Sequence, residues 1–324
     1  MKLATLPASG RDGALVIVSP DLTRATSAAG IATTLQDALE RWAEVEPRLR
    51  ERADRLGAGG GEAFGPATAL APLPRAWQWL DGSAFPSHGE LMQLAFKHPP
   101  IETDKPLMYQ GLSHRFLAPT ADVPLPSEAD GIDFEGEFGV ITDEVPMGVS
   151  ATDALRHVKL LVQINDWSLR AVGQAEMKTG FGWVQAKPAC SLAPVAVTPD
   201  ELGDAWADGR ILLPLEVSLN GDRFGAPDGG AMAIGFGELI AHAARTRGLC
   251  AGTIIGSGTV SNANAADVGS ACIAERRALE TISGGAPRTS FLRFGDRVRM
   301  ECRDAAGGPL FGAVDQRVVA SGTG

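Results

Sequence analysis

The stretch Asp133-Phe134-Glu135-Gly136-Glu137 sets three carboxylates at alternate positions, and Phe138, Gly139, Val140 and Ile141 follow it directly. Alternate side chains of an extended strand share a face, so consecutive members of the trio would sit roughly 6–7 Å apart. Carboxylates packed that closely repel one another and resist burial. Yet the run leads straight into residues that belong in a core. Two arrangements remove the conflict: an edge strand with one wet face, or a cation that the acids surround. The stretch alone leaves both open.

Composition narrows the setting. The chain has 324 residues, 44% of them hydrophobic and 21% charged, which suits a large core and excludes wholesale disorder. The net charge is −10 and Lys and Arg are scattered, which argues against nucleic acid or an anionic membrane as a partner. A small anionic substrate would need local cations to offset that field. Cys190, Cys250, Cys272 and Cys302 show no CxxC and no paired spacing. This disfavours zinc and a disulfide framework, and points to reduced thiols in a cytoplasmic protein. The apolar run Ala14–Val18 is followed by no cleavage-like pattern, and no run has the length of a membrane span, so a soluble, untargeted chain is expected.

Residues 1–55 read as a strand-plus-helix unit. Leu15–Val18 marks the strand, and Leu35, Leu39 and Trp42 lie on one face of a helix running into Glu46-Pro47. The Gly/Ala/Pro-rich segment from Leu56 to Trp77 is the linker candidate; its triple glycine lacks the flanking strand and helix of a phosphate loop. Short strands dominate beyond it: Val158–Ile164, Leu212–Leu219 with a hairpin signal at Asn220-Gly221, Arg297–Cys302, and a last one around Phe311. Helical spacing shows at 151–160 and 236–248. The expected fold is β-rich α+β: a small N-terminal domain with linker over 1–72 and a larger domain over 73–324.

Several further segments each allow a plain reading. Asp81 precedes His88 by seven residues across a Gly/Pro-containing stretch, where a solvated loop histidine is the default. Asp166 and Arg170 in QINDWSLR suit a simple ion pair, and Lys187 in GWVQAKPA a snorkelling lysine. GTIIGSGTVSN (252–262) reads as a tight turn, and Glu275 as a solvated strand end.

Together and in this order, these segments resemble the fumarylacetoacetate hydrolase family over roughly residues 75–320, with residues 1–70 similar to the N-terminal domain of its longer members. The matched features are the D-x6-H pair (Asp81, His88), the E-x-E strand (Glu135, Glu137) and N-D-W-S-x-R (Asp166, Arg170). Lys187 and a G-T-I-x-G segment followed by a glutamate (Thr253, Glu275) complete the set. The resemblance implies a mixed β-roll binding one Mg²⁺, Mn²⁺ or Ca²⁺ through Asp81, Glu135, Glu137 and Asp166, an all-oxygen set suited to hard cations. Asp133 is left beside that set or exposed.

It further implies hydrolysis of a C–C bond in a small anionic 1,3-diketo acid, fumarylacetoacetate or an acylpyruvate, during aromatic or tyrosine catabolism, by a homodimer. His88 is then the general base and Glu275 its acid partner. Lys187 and Arg170 stabilise developing negative charge, and Tyr109, Thr253, Arg170 and Lys187 contact substrate. Keto-acid decarboxylation or enol–keto isomerisation on the same fold is the alternative, and a catalytically silent cation-binding protein the third. Gly173 where fumarylacetoacetate-cleaving members carry a glutamine, with Gln174 beside it, and Leu112 and His114 in YQGLSHRF bear on which substrate fits.

Overall fold

The computed structural model describes residues 1–96 and 103–322. Its centre is the apolar strand Val158–Asn165, antiparallel to Gly136–Thr142 with Leu161 opposite Val140 and Ile164 opposite Glu137. From these two strands a sheet of eleven strands among the described residues extends both ways, Ser191–Leu192 pairing with the end of the central strand as the eleventh. On one side come Val195–Val197, then Lys2–Leu6, Ala14–Val18, Arg24–Ser27 and Glu62–Ala63. On the other come Ile254–Gly256, Trp79–Gly82 and Met108–Gln110. The N-terminal strands thus belong to the same hydrogen-bonded sheet as the two central strands. The Gly/Ala/Pro-rich segment after them buries Phe64, Ala69, Ala71 and Leu73.

Strand periodicity decides what covers each face. Leu160, Val162 and Ile164 point to the side where Leu35, Leu39, Val45 and Leu49 of the N-terminal helices pack. Leu161 and Val140 point the other way, toward a five-stranded sheet whose inner residues include Leu215, Val217, Val298, Met300 and Val314. The hairpin signal holds: Leu219 pairs with Asp222 across Asn220 and Gly221, both at positive φ. The mixed α+β, sheet-rich class read from sequence is the observed one.

Three local readings are corrected. The N-terminal helix breaks at Arg41 into Leu35–Glu40 and Trp42–Gly57, and the second runs through Pro47. A proline near a helix start costs one hydrogen bond, which the buried Val45, Leu49 and Leu56 and the Glu46–Arg50 and Glu51–Arg55 ion pairs offset. His88 lies not in a loop but in the first turn of helix Pro86–Phe96, whose opening Pro86 is preset for that position. Glu275 lies not at a solvated strand end but, fully buried, in the first turn of helix Ile273–Gly284.

Candidate metal and catalytic centre

Strand register brings the acids to one place. Asp81 stands opposite Gly256 in a parallel pair and opposite Tyr109 in an antiparallel one, and Gly256 in turn faces Gly139, two residues past Glu137. A side chain at 256 is excluded, since a Cβ there would lie 2.3 Å from Asp81 Oδ1 and 2.4 Å from the Trp79 ring. Asp166 follows the central strand and donates its backbone N–H to Glu135 O (2.9 Å), while the Glu135 N–H donates to Asn165 Oδ1 (3.0 Å).

One carboxylate oxygen from each of Asp81, Glu137 and Asp166 lies within 4.8 Å of the others, all three residues being buried. Among the described residues no hydrogen-bond donor reaches either oxygen of Glu137. Burial, then the charges of Asp81 and Asp166, pushes the Glu137 carboxyl well above its ordinary range. Burial and the Asp166 charge push Asp81 up to about 8. A buried carboxylate without donors, beside two more, is stabilised by a hard cation, so the residues fit a divalent ion held by this trio. Glu135 is not one of this trio but shares Lys187 with Asp166. Lys187 Nζ bonds Glu135 Oε2, Arg170 lies 2.7 Å from Oε1, and these two cations outweigh the effect of burial and hold the Glu135 carboxyl below its usual value.

The cations are themselves held by acids. Lys187 Nζ donates to Asp166 Oδ2 (2.7 Å) and Arg170 Nε to Asp133 Oδ2 (2.8 Å). Asp133 is fully buried and accepts the backbone N–H groups of Ile273 (2.7 Å) and Ala274 (2.9 Å), which fixes the start of the Glu275 helix. The first acid of the alternating run is therefore the strut that joins Arg170 to that helix. Tyr109 donates its hydroxyl to Asp166 Oδ2 and lies under Lys187, whose Nζ is 5.3 Å from the ring centroid.

His88 Nδ1 is 3.9 Å from Glu275 Oε1, to which the Ser261 hydroxyl also bonds. Burial holds the imidazole down to about 4 and lifts the Glu275 carboxyl to about 7. His88 is neutral at physiological pH, as a proton acceptor must be. His88, Arg170 and Lys187 line one cleft of about 590 Å³, bordered by Met92, Trp183 and Phe291.

Thr253 is not brought to this cluster. Its hydroxyl bonds Cys250 O (2.7 Å) at the opposite end of its strand from Gly256. Sequence reading missed the residues beyond that end, where Gly258 N–H donates to Asp81 Oδ1 (3.1 Å) and Ser261 holds Glu275. It also missed Cys190, whose thiol bonds Asp166 Oδ1 (2.9 Å). A glycine-rich turn and an isolated cysteine carry no spacing signal that could have marked them.

Comparison with known proteins agrees on the fold. The family model described as fumarylacetoacetate (FAA) hydrolase C-terminal matches residues 78–319, and that described as fumarylacetoacetase N-terminal domain 2 matches residues 1–75. The 2,4-didehydro-3-deoxy-L-rhamnonate hydrolase of Sphingomonas sp. (strain SKA58) is 29% identical over 163 residues, 49% of this chain and 54% of that protein. The mitochondrial oxaloacetate tautomerase Fahd2a of Rattus norvegicus is 26% identical over 157 residues, 48% of each. The chain thus spans about half the length of these curated relatives. Among solved structures, maleylpyruvate hydrolase from Sphingobium sp. SYK-6 in complex with manganese (II) ion and pyruvate aligns with a TM-score of 0.67 at 17% identity. That alignment covers 99% of this chain and 100% of that one, a likeness of fold.

Proposed function

The chain belongs to the fumarylacetoacetate hydrolase family, and on that premise we propose that it is a divalent-cation-dependent hydrolase cleaving a C–C bond of a 1,3-diketo acid, fumarylacetoacetate or a related acylpyruvate. Asp81, Glu137 and Asp166 hold the cation, with Glu135 beside them. When bound, it supplies Lewis-acid polarisation of the diketo group. His88 takes a proton from water, and the resulting hydroxide adds to the acyl carbonyl. Glu275 holds the imidazole and stabilises the imidazolium. Lys187 and Arg170 stabilise the oxygen on which charge grows. The C–C bond then breaks to an acid and an enolate, and the imidazolium returns its proton to the enolate carbon. Tyr109 anchors Asp166 and borders the substrate.

The observation that carries this reading is that Lys187, bonded to Asp166 of the buried carboxylate trio, lines the same cleft as His88, whose Nδ1 is 3.9 Å from Glu275. Decarboxylation of a keto acid needs the trio and Lys187 but no base that activates water, and so leaves His88 and Glu275 unexplained; tautomerisation would use His88 to move the proton and is separated from hydrolysis by the test. The test is a panel of acylpyruvates and fumarylacetoacetate followed by loss of absorbance with Mg²⁺, Mn²⁺ or Ca²⁺, against oxaloacetate tautomerisation and decarboxylation. Hydrolysis abolished by chelation is expected; enolisation of oxaloacetate with no hydrolysis of any member overturns the reading. A homodimer is part of the proposal, to be read from the sedimentation mass.

A further inference from the structure

We infer that Arg277 is the specificity-determining residue of this cleft, and that the substrate's acyl arm ends in a carboxylate which it receives. The inference rests on the keto-acid reading above and narrows it to dicarboxylic substrates.

Arg277 is one turn beyond Ala274 on helix Ile273–Gly284, and both line the cleft that holds His88 and Lys187. Its guanidinium stacks on Phe291, with Cζ 4.5 Å from the ring centroid, and donates one N–H to Thr289 O. Arg carries five N–H donors in a planar fork, and these contacts fix its plane while leaving most of the fork unused. Among the described residues no carboxylate lies within 4.0 Å of it, whereas the other two cations of the cleft, Arg170 and Lys187, are each ion-paired twice. The acid bordering the cleft, Glu128, is exposed and accepts the Phe294 N–H (2.8 Å).

Charge at the inner end points the same way. The buried carboxylates of Asp81, Asp133, Glu135, Glu137 and Asp166 outnumber the charges of Arg170, Lys187 and one dication. The inner site therefore has no positive charge to spare for a second carboxylate. The walls between are largely apolar, with Met92, Ala171 and Trp183 among them. They suit a carbon chain linking a chelated keto-acid end to an anion at Arg277.

Binding of 2-oxoadipate and of 2-oxohexanoate, equal in length and differing in the terminal carboxylate, is measured by calorimetry with Mn²⁺ present. The unaltered protein should prefer the dioate by about 10- to 100-fold, the range of one charge-assisted contact. In Arg277→Gln that preference should vanish while the binding of 2-oxohexanoate stays unchanged. Arg277→Lys keeps a cation over Phe291 but not the fork; it should retain a reduced preference, and is the variant to read if the glutamine variant fails to fold. Equal binding of the two acids by the unaltered protein, or a preference that survives in Arg277→Gln, overturns the subsite alone. No binding of either acid overturns the keto-acid reading and the subsite with it.

Discussion

The Nδ1 atom of His88 and the Oε1 atom of Glu275 face each other at 3.9 Å across two helix first turns, and among the described residues no hydrogen bond otherwise engages that nitrogen. The gap suits a pair that tightens when the imidazole takes a proton, since catalytic hydrogen bonds are often long without substrate.

His88→Ala is therefore expected to keep its cation and bind substrate while losing about 10²–10⁴-fold in C–C hydrolysis, the usual size of a general-base contribution. Glu275→Gln should show a smaller loss in the same direction. Any oxaloacetate decarboxylation should survive better in both. Hydrolysis by His88→Ala at near the parental rate, with cation content verified, would remove the water-activating role.

Proton release should accompany cation binding. Burial and the neighbouring acid charges lift Asp81 to about 8 and push Glu137 well above its ordinary range, which favours carboxyls that hold their protons in the cation-free site at neutral pH. A cation needs the carboxylate form, so binding must expel them and tighten as pH rises toward about 8. Calorimetry in two buffers of different ionisation enthalpy reads the release; pH-independent affinity between 6 and 8 would contradict it.

The same shifts set the stability of the cation-free protein. A carboxyl with a raised folded pKa binds more protons folded than unfolded, so stability falls as pH rises across the interval. For Asp81 that interval runs from 3.8 to about 8, and for Glu275 from 4.5 to about 7. His88, lowered to about 4 from 6.5, opposes this below pH 6.5. The net expectation is a midpoint temperature that declines between pH 6.5 and 8 without cation and holds steady with it.

Part of this cluster was legible in the sequence. The Glu135–Glu137 stretch alone left an edge strand open, and the ordered motifs around it grouped Glu137 with Asp81, Asp166 and Lys187, which the structure places near one another. What stayed hidden depended on tertiary placement. Asp133 matches Glu135 in its pattern, yet one strengthens a helix start and the other an ion-pair network, a difference set by where helix Ile273–Gly284 docks. That helix escaped notice because its buried residues Ile273, Ala274, Glu275 and Ala278 include the acid itself, which breaks the apolar stripe. Cys190 and Ser261 act through single hydrogen bonds, which have no sequence period.

Asp133→Asn tests the strut. The variant loses the charge facing Arg170 and one of the acceptors used by Ile273 and Ala274. Breaking one side of a buried pair costs about 3 kcal/mol, so urea unfolding should show a loss near that size. A loss under about 1 kcal/mol would mean that Arg170 is held by Glu135 alone.

The central claim is that the donorless carboxylate of Glu137 exists to hold a cation with Asp81 and Asp166. Calorimetric titration of Mn²⁺ into the parent protein and into Glu137→Gln, which preserves shape but not charge, tests it most directly. One-to-one binding by the parent, weakened at least about 100-fold in the variant, is the predicted result. Equal Mn²⁺ affinity in the two proteins would contradict it.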